Sequence, residues 1–192
     1  MDAHKYKIGE ISTKTGLQKC LVNGRIVWLL PKQNSNFLQQ KMSKPDTKAL
    51  AKSCKRARPD GAVSFTKGIK NGARDYLNHM AVSWRANPVK VPFLNYAKVG
   101  LNSFSSYHLF YTHNKPRPIG EIKDRAECLP YVRDVLERAG KPADHYINSK
   151  GEESYSIVGR ANISGSDREM VVVISKDRHK NYFYLSVFKL KK

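Results

Sequence analysis

The run Arg168-Glu169-Met170-Val171-Val172-Val173-Ile174-Ser175, a polar link over residues 176–181, and the run Tyr182-Phe183-Tyr184-Leu185-Ser186-Val187-Phe188 decide the fold. The first run is continuously apolar and β-branched, the pattern of a strand buried on both faces. The link has the length and polarity of a hairpin connection. Side chains alternate across a sheet, so in the second run Phe183, Leu185 and Val187 share one face and Tyr182, Tyr184, Ser186 and Phe188 the other. The first of these faces reads as core. The second is aromatic with one hydroxyl in its middle, and it is the face expected to meet a ligand.

Upstream of that hairpin, residues 154–159 and 145–148 read as strands, joined by turns at Lys150-Gly151 and Ser164-Gly165-Ser166. Before them Leu129, Val132, Val135, Leu136 and Ala139 form the apolar stripe of a helix that Gly140 and Pro142 close. Residues 105–113 are expected to be a strand with His108 and His113 toward its end, followed by the rigid basic loop Asn114-Lys115-Pro116-Arg117-Pro118. The expected fold class is therefore α+β, with a helix packed on a four-stranded antiparallel sheet over residues 105–192.

Residues 1–104 read as a basic N-terminal part of a β-hairpin and helices. Asn23-Gly24 between two apolar runs is the strongest short-range hairpin signal, because a type I′ turn needs positive φ at both central residues. A helix is expected over residues 43–58, carrying Lys48, Lys52, Lys55, Arg56 and Arg58. A second is expected over residues 65–85, with Ile69, Ala73, Tyr76, Leu77, Met80 and Trp84 at helical spacing. A loose stretch then runs to Tyr107.

Charge is the strongest global signal. Lysine and arginine total 35 against 16 acidic residues, a net charge of +19. Such a balance attracts polyanions, and the ten tyrosines favour nucleic acid over an anionic membrane. Thirteen of the cations lie between residues 41 and 98, against Asp46, Asp60 and Asp75, which makes the middle of the chain the expected electrostatic footprint. No apolar run approaches the roughly 20 residues needed to cross a bilayer. No apolar signal core follows the N-terminus, and three scattered cysteines suit a reducing compartment. The expected location is therefore cytoplasmic.

The sequence lacks a Walker loop, a GxGxxG, an HExxH, a cysteine metal spacing and a GxSxG. Neither a metal nor a cofactor is expected. What remains is histidine, lysine, arginine and serine on a basic scaffold, and those suffice for one reaction. RNA carries a 2′-hydroxyl beside its own phosphate. A base that takes the hydroxyl proton, a cation beside the phosphorane and an acid for the departing 5′-oxygen cleave the strand. His113 is the first candidate base and His108 the second. Lys115 and Arg117 are candidate phosphate contacts, Arg160 a transition-state cation, Lys176 a phosphate contact in the hairpin link, and Tyr184 a platform for a base. His145 and His179 are expected at strand and turn ends, and His79 in a structural role.

The order of histidine, basic loop, amphipathic helix, strands and a serine on the last strand resembles the barnase/EndoU/colicin D/RelE-like nuclease superfamily, and most of all its colicin D and phage-encoded types. Thr112-His113-Asn114-Lys115, residues 129–136, residues 170–175 and Leu185-Ser186-Val187-Phe188-Lys189 carry it. It covers residues 107–192. The resemblance implies that His113 is the catalytic histidine, Lys115 its basic neighbour and Ser186 the serine of the last strand. Phe188 stands where those relatives carry tryptophan, and Thr112 where a lysine is expected. It further implies an endoribonuclease of toxin or phage-effector type acting in a bacterial host cell, with RNA, often tRNA, as substrate and an acidic immunity or inhibitor protein as partner. The rival reading is a non-enzymatic DNA- or RNA-binding protein of a phage or mobile element.

Overall fold

The computed structural model describes residues 18–22, 25–29, 46–147, 152–177 and 179–190. The chain divides into two compact units, residues 1–44 and 45–192. In the first, β1 (Gln18–Val22) and β2 (Arg25–Leu29) pair antiparallel with Val22 opposite Arg25, the register that a two-residue link at Asn23-Gly24 requires. The link itself lies outside the described residues.

The second unit is built on a mixed sheet of seven strands. They are β3 (Arg56–Ala57), β4 (Val89–Val91), β5 (Ala97–Gly100), β8 (Asp144–Ile147), β9 (Glu153–Ile163), β10 (Ser166–Lys176) and β11 (Tyr182–Lys189). The spatial order is β3-β9-β10-β11-β5-β4, with β8 on the same edge of β9 as β3. Strands β8 to β11 run antiparallel to their neighbours, while β3 joins β9 and β5 joins β11 in parallel. This corrects the expected helix on a four-stranded antiparallel sheet with a separate basic part before it. Three short strands from residues 56–100 extend the sheet at its edges, and the expected boundary at residue 104 falls inside one unit. β6 (Tyr111–Thr112) and β7 (Lys115–Pro116) form a small separate hairpin.

Helices α1 (Thr47–Ser53), α2 (Ile69–Ala86), α3 (Ser103–Phe110), α4 (Ile119–Ala126) and α5 (Val132–Glu137) complete this unit. The Asp46 carboxylate caps α1, accepting from the backbone N–H of Lys48 at 3.0 Å and of Ala49 at 3.2 Å. α2 buries Ala73, Tyr76, Leu77, Met80 and Trp84, the stripe its spacing implies. Residues 105–113 are not a strand. Asn102 and Ser105 form a reciprocal capping box that starts α3, and two satisfied end groups outweigh the β propensity of the aromatics. The single helix expected at residues 129–139 begins instead as a 3-10 turn at Leu129–Tyr131, because Pro130 removes a donor.

The core lies between one sheet face and α2, α4 and α5. Ile157, Ala161 and Ile163 of β9, Met170, Val172 and Ile174 of β10, and Tyr184 and Val187 of β11 line it. Gly159 belongs to the same row. A Cβ there would stand 2.5 Å from Val135 Cγ2, so only glycine lets α5 lie this close to β9. Val171, on the other face of β10, is also buried, beneath α1. At the end of β10 a bulge intervenes. Val173 stands opposite Ser186 but Ile174 opposite Tyr184, which leaves Leu185 unmatched and turns Tyr184 into the core.

Candidate active site

The bulge rearranges the face expected to meet a ligand. Tyr184 is 1% exposed and packs edge-on against Trp84 with centroids 6.3 Å apart, so it offers no ring to a base. Ser186 stays half-buried at the β11 edge beyond the reach of β5, which pairs only with Tyr182 and Phe183. There the Arg125 guanidinium donates to the Ser186 hydroxyl and, at 3.1 Å, to the Val187 carbonyl. The Ser105 hydroxyl donates to the Tyr184 carbonyl. These side chains from α3 and α4 replace a missing strand partner.

Arg125 also binds Glu121 at 3.1 Å, and Glu121 is shared with Arg117, whose Nε donates to the His108 carbonyl at 3.1 Å. The side chains of Arg117 and Arg125 are only 10% and 12% exposed. Burial, then the charges of Arg117 and Arg125, press the His108 imidazole below its ordinary value. A cleft of about 820 Å³ opens beside Phe188 and Lys189, but Asp124 at 2.8 Å and Glu127 at 2.7 Å already neutralise Lys189. This cluster ties α3 and α4 to an open sheet edge.

No hydrogen bond joins His113 to Ser186 among the described residues. His113 stands exposed at the tip of the β6–β7 hairpin with φ 47°, followed by Asn114 at 61°, a type I′ pair of angles. Its ring Nδ1 lies 3.4 Å from the Thr112 hydroxyl. Tyr107 clasps the turn, donating to Asn114 Oδ1 at 2.6 Å and accepting from the Asn114 N–H at 3.0 Å. Lys115 is exposed on β7. Arg160 lies on the outer face of β9, where Asp167 Oδ2 takes both Arg160 and Arg56 at 2.6 Å. Lys48, Lys52, Lys55, Arg56 and Arg58 are all exposed along α1 and β3. They form a cationic ridge.

One expected site residue, Lys176, belongs to a second cluster. β8, β9, β10 and β11 bring His145, Glu153, Tyr155, Lys176 and Tyr182 onto one end of the sheet. Glu153 stands opposite Lys176, Lys176 opposite Tyr182, and His145 opposite Tyr155. Lys176 Nζ is 3.1 Å from Glu153 Oε1, and the Tyr155 hydroxyl donates to Glu153 Oε2 at 2.7 Å. His145 Nε2 lies 3.8 Å from the same Oε2, and its ring is stacked on Tyr155 at 4.5 Å and 8°. Lys176 Nζ sits 5.6 Å from the Tyr182 centroid. Behind the row, the Ser175 hydroxyl donates to the Glu153 carbonyl at 2.9 Å.

The core row gives out toward this end. Ile157 is 2% exposed, whereas Tyr155 and Glu153 on the same face are partly open and the His145 side chain is 42% exposed. Hydrogen bonds from Tyr155 and Lys176 hold the Glu153 carboxyl below the usual carboxylate range. Its hydrogen bond with Glu153 raises the Lys176 ammonium. Burial, then the hydrogen bond with Glu153, raises the Tyr155 phenol. The shelf thus holds a fixed anion and a fixed cation, both half-buried, beside a more exposed imidazole. In the sequence His145 reads as a strand end, and Glu153 and Tyr155 stand out for no role. Their signal is the period-2 spacing on β9, but only the register of four strands shows what they face. Among the described residues no three His, Cys, Asp or Glu side chains converge as a metal site. No protein family, curated protein or solved structure matches the chain.

Proposed function

We propose that this chain is an endoribonuclease that works without metal and acts through His145, Glu153 and Lys176 rather than through His113 and Ser186. The observation that supports the reading is their convergence on an open, aromatic-lined end of the sheet, in a protein of net charge +19. In this reading the His145 imidazole takes the proton of the ribose 2′-hydroxyl. The bond from the 2′-oxygen to phosphorus forms as that to the 5′-oxygen breaks, and the 5′-oxygen leaves with a proton from solvent. Lys176 faces the non-bridging oxygens, where charge grows. Glu153, held ionised, orients the imidazole and stabilises it once protonated. Tyr182 is the stacking ring in place of Tyr184. The exposed α1–β3 ridge binds phosphates along the strand.

A second reading is favoured by one observation. Glu153 is already engaged by Tyr155 and Lys176, as in a structural clamp. On that reading the protein binds nucleic acid and leaves it intact. Incubation with total RNA in EDTA separates the two. Cleavage by the natural chain that is lost in His145→Ala and retained in Ser186→Ala and His113→Ala supports the first. Intact RNA with steeply salt-dependent binding leaves the second.

A further inference from the structure

The β3–β8 edge of β9 is interrupted. β8 pairs with Glu153 to Ser156 and β3 with Arg160 and Ala161, so Ile157, Val158 and Gly159 have no strand on that side among the described residues. A cavity of about 330 Å³ occupies the gap, between α1 and α5. Its walls are apolar: Leu50 of α1, Val135 of α5, Pro142, and the interrupted segment itself. Gly159 adds no side chain to the floor. The Cys54 thiol lies 3.7 Å from the Val158 carbonyl at the back.

The rim is cationic. Lys55, Arg138 and Lys141 stand around the opening with Asp134 as the one carboxylate among the described lining residues. Asp134 is engaged by Arg138 at 2.7 Å and by the Arg58 N–H at 3.1 Å. Lys55 and Lys141 have no ion pair among the described residues. The cavity lies between the cationic ridge and the shelf. Ala143, on its wall, is two residues before His145, and Val158 is three residues along β9 from Tyr155, about 10 Å at strand spacing.

We infer that this cavity is a subsite for one base of a single-stranded nucleic acid, with the adjoining phosphate on Lys55 and Lys141. This rests on the proposed function and deepens it by naming the substrate as unpaired strand. The volume is at the small end for ligand pockets and suits one ring system. Apolar walls match the faces of a base, and the rim matches its phosphate. A base within a duplex is stacked on both faces and paired at its edge, so a duplex cannot enter without opening.

The test uses the full chain and uridine 5′-monophosphate, titrated by calorimetry. Saturable binding is expected, displaced by a ten-nucleotide single-stranded RNA but not by a duplex of the same length. Leu50→Trp, which fills the cavity, and the double variant Lys55→Glu/Lys141→Glu, which reverses the rim, should each weaken binding at least tenfold. His113→Ala, at the exposed tip of the β6–β7 hairpin, should leave it unchanged. Thermal melting shows whether Leu50→Trp folds, and the rim variant gives the answer independently. Absent saturation, binding indifferent to both variants, or failure of the single strand to compete overturns the inference. Binding as expected with RNA left uncut overturns the cleavage reading and leaves the subsite standing.

Discussion

His145 and Arg125 stand for the two kinds of polar side chain here, and mutation separates them. His145 is exposed and its ring stacks on Tyr155, so His145→Ala should cost only about 0.5–1.5 kcal/mol of stability. In the proposed reaction it should reduce the single-turnover rate on RNA by about 10²–10⁴, the range for a positioned base. Arg125 is nearly buried between Glu121, Ser186 and Val187. Arg125→Ala leaves the Val187 carbonyl and the Ser186 hydroxyl without their donor, while Glu121 keeps Arg117, and should cost about 1–3 kcal/mol in urea unfolding. Gly159→Ala places a methyl where Val135 already stands. It should cost about 1–3 kcal/mol by the same measurement, as overpacked cores do, although the change is a single carbon. If Ser186→Ala abolishes cleavage without affecting stability, the assignment of Ser186 to edge capping is wrong.

At the scale of elements, the β6–β7 hairpin and the α1–β3 ridge make opposite predictions. His113→Gly relieves a positive φ and should leave stability equal or slightly raised, with RNA cleavage intact. Charge reversal at Lys48 and Lys52 on the exposed face of α1 should instead lower the salt slope of RNA binding by about one for each phosphate no longer bound, read from fluorescence anisotropy across a salt series. Legibility followed length and periodicity. The final hairpin, the α2 stripe and the β1–β2 pairing all show in the sequence, because long periodic segments and Asn-Gly are strong signals. β3, β4 and β5 span two to four residues, too short for any period to show, and partners distant in the chain create them. The bulge at Leu185 is equally invisible. One unmatched residue moves Tyr184 from the expected ligand face into the core. α3 resembles a strand in sequence because its aromatics suit one, while its start is decided by two residues, Asn102 and Ser105.

Across the whole molecule, three carboxylates tie strands and turns together in their ionised form. Glu153 is held below its ordinary range by Tyr155 and Lys176, Asp167 by Arg56 and Arg160, and Asp177 by the Asn181 backbone N–H at the hairpin link. A carboxyl lowered in the folded state adds stability that is full above its unfolded value near pH 4 and is lost as pH falls through the lower folded value. The double variant Glu153→Gln/Asp167→Asn should therefore be less stable at pH 7 yet lose less stability between about pH 5 and pH 2, followed by circular dichroism. The order of the seven-stranded sheet also bears on how the chain is made. Its middle, β9 to β11, comes last in the chain, while β3, β4 and β5, which flank that middle, are made first. During synthesis β3 leaves the ribosome with nothing to pair against and β4 and β5 have only each other, and the sheet closes only when the final hairpin emerges. A transcript cut short before residue 153 therefore encodes margins without a centre, a polypeptide whose α2 stripe and outer strands stay uncovered and fall to chaperones and proteases.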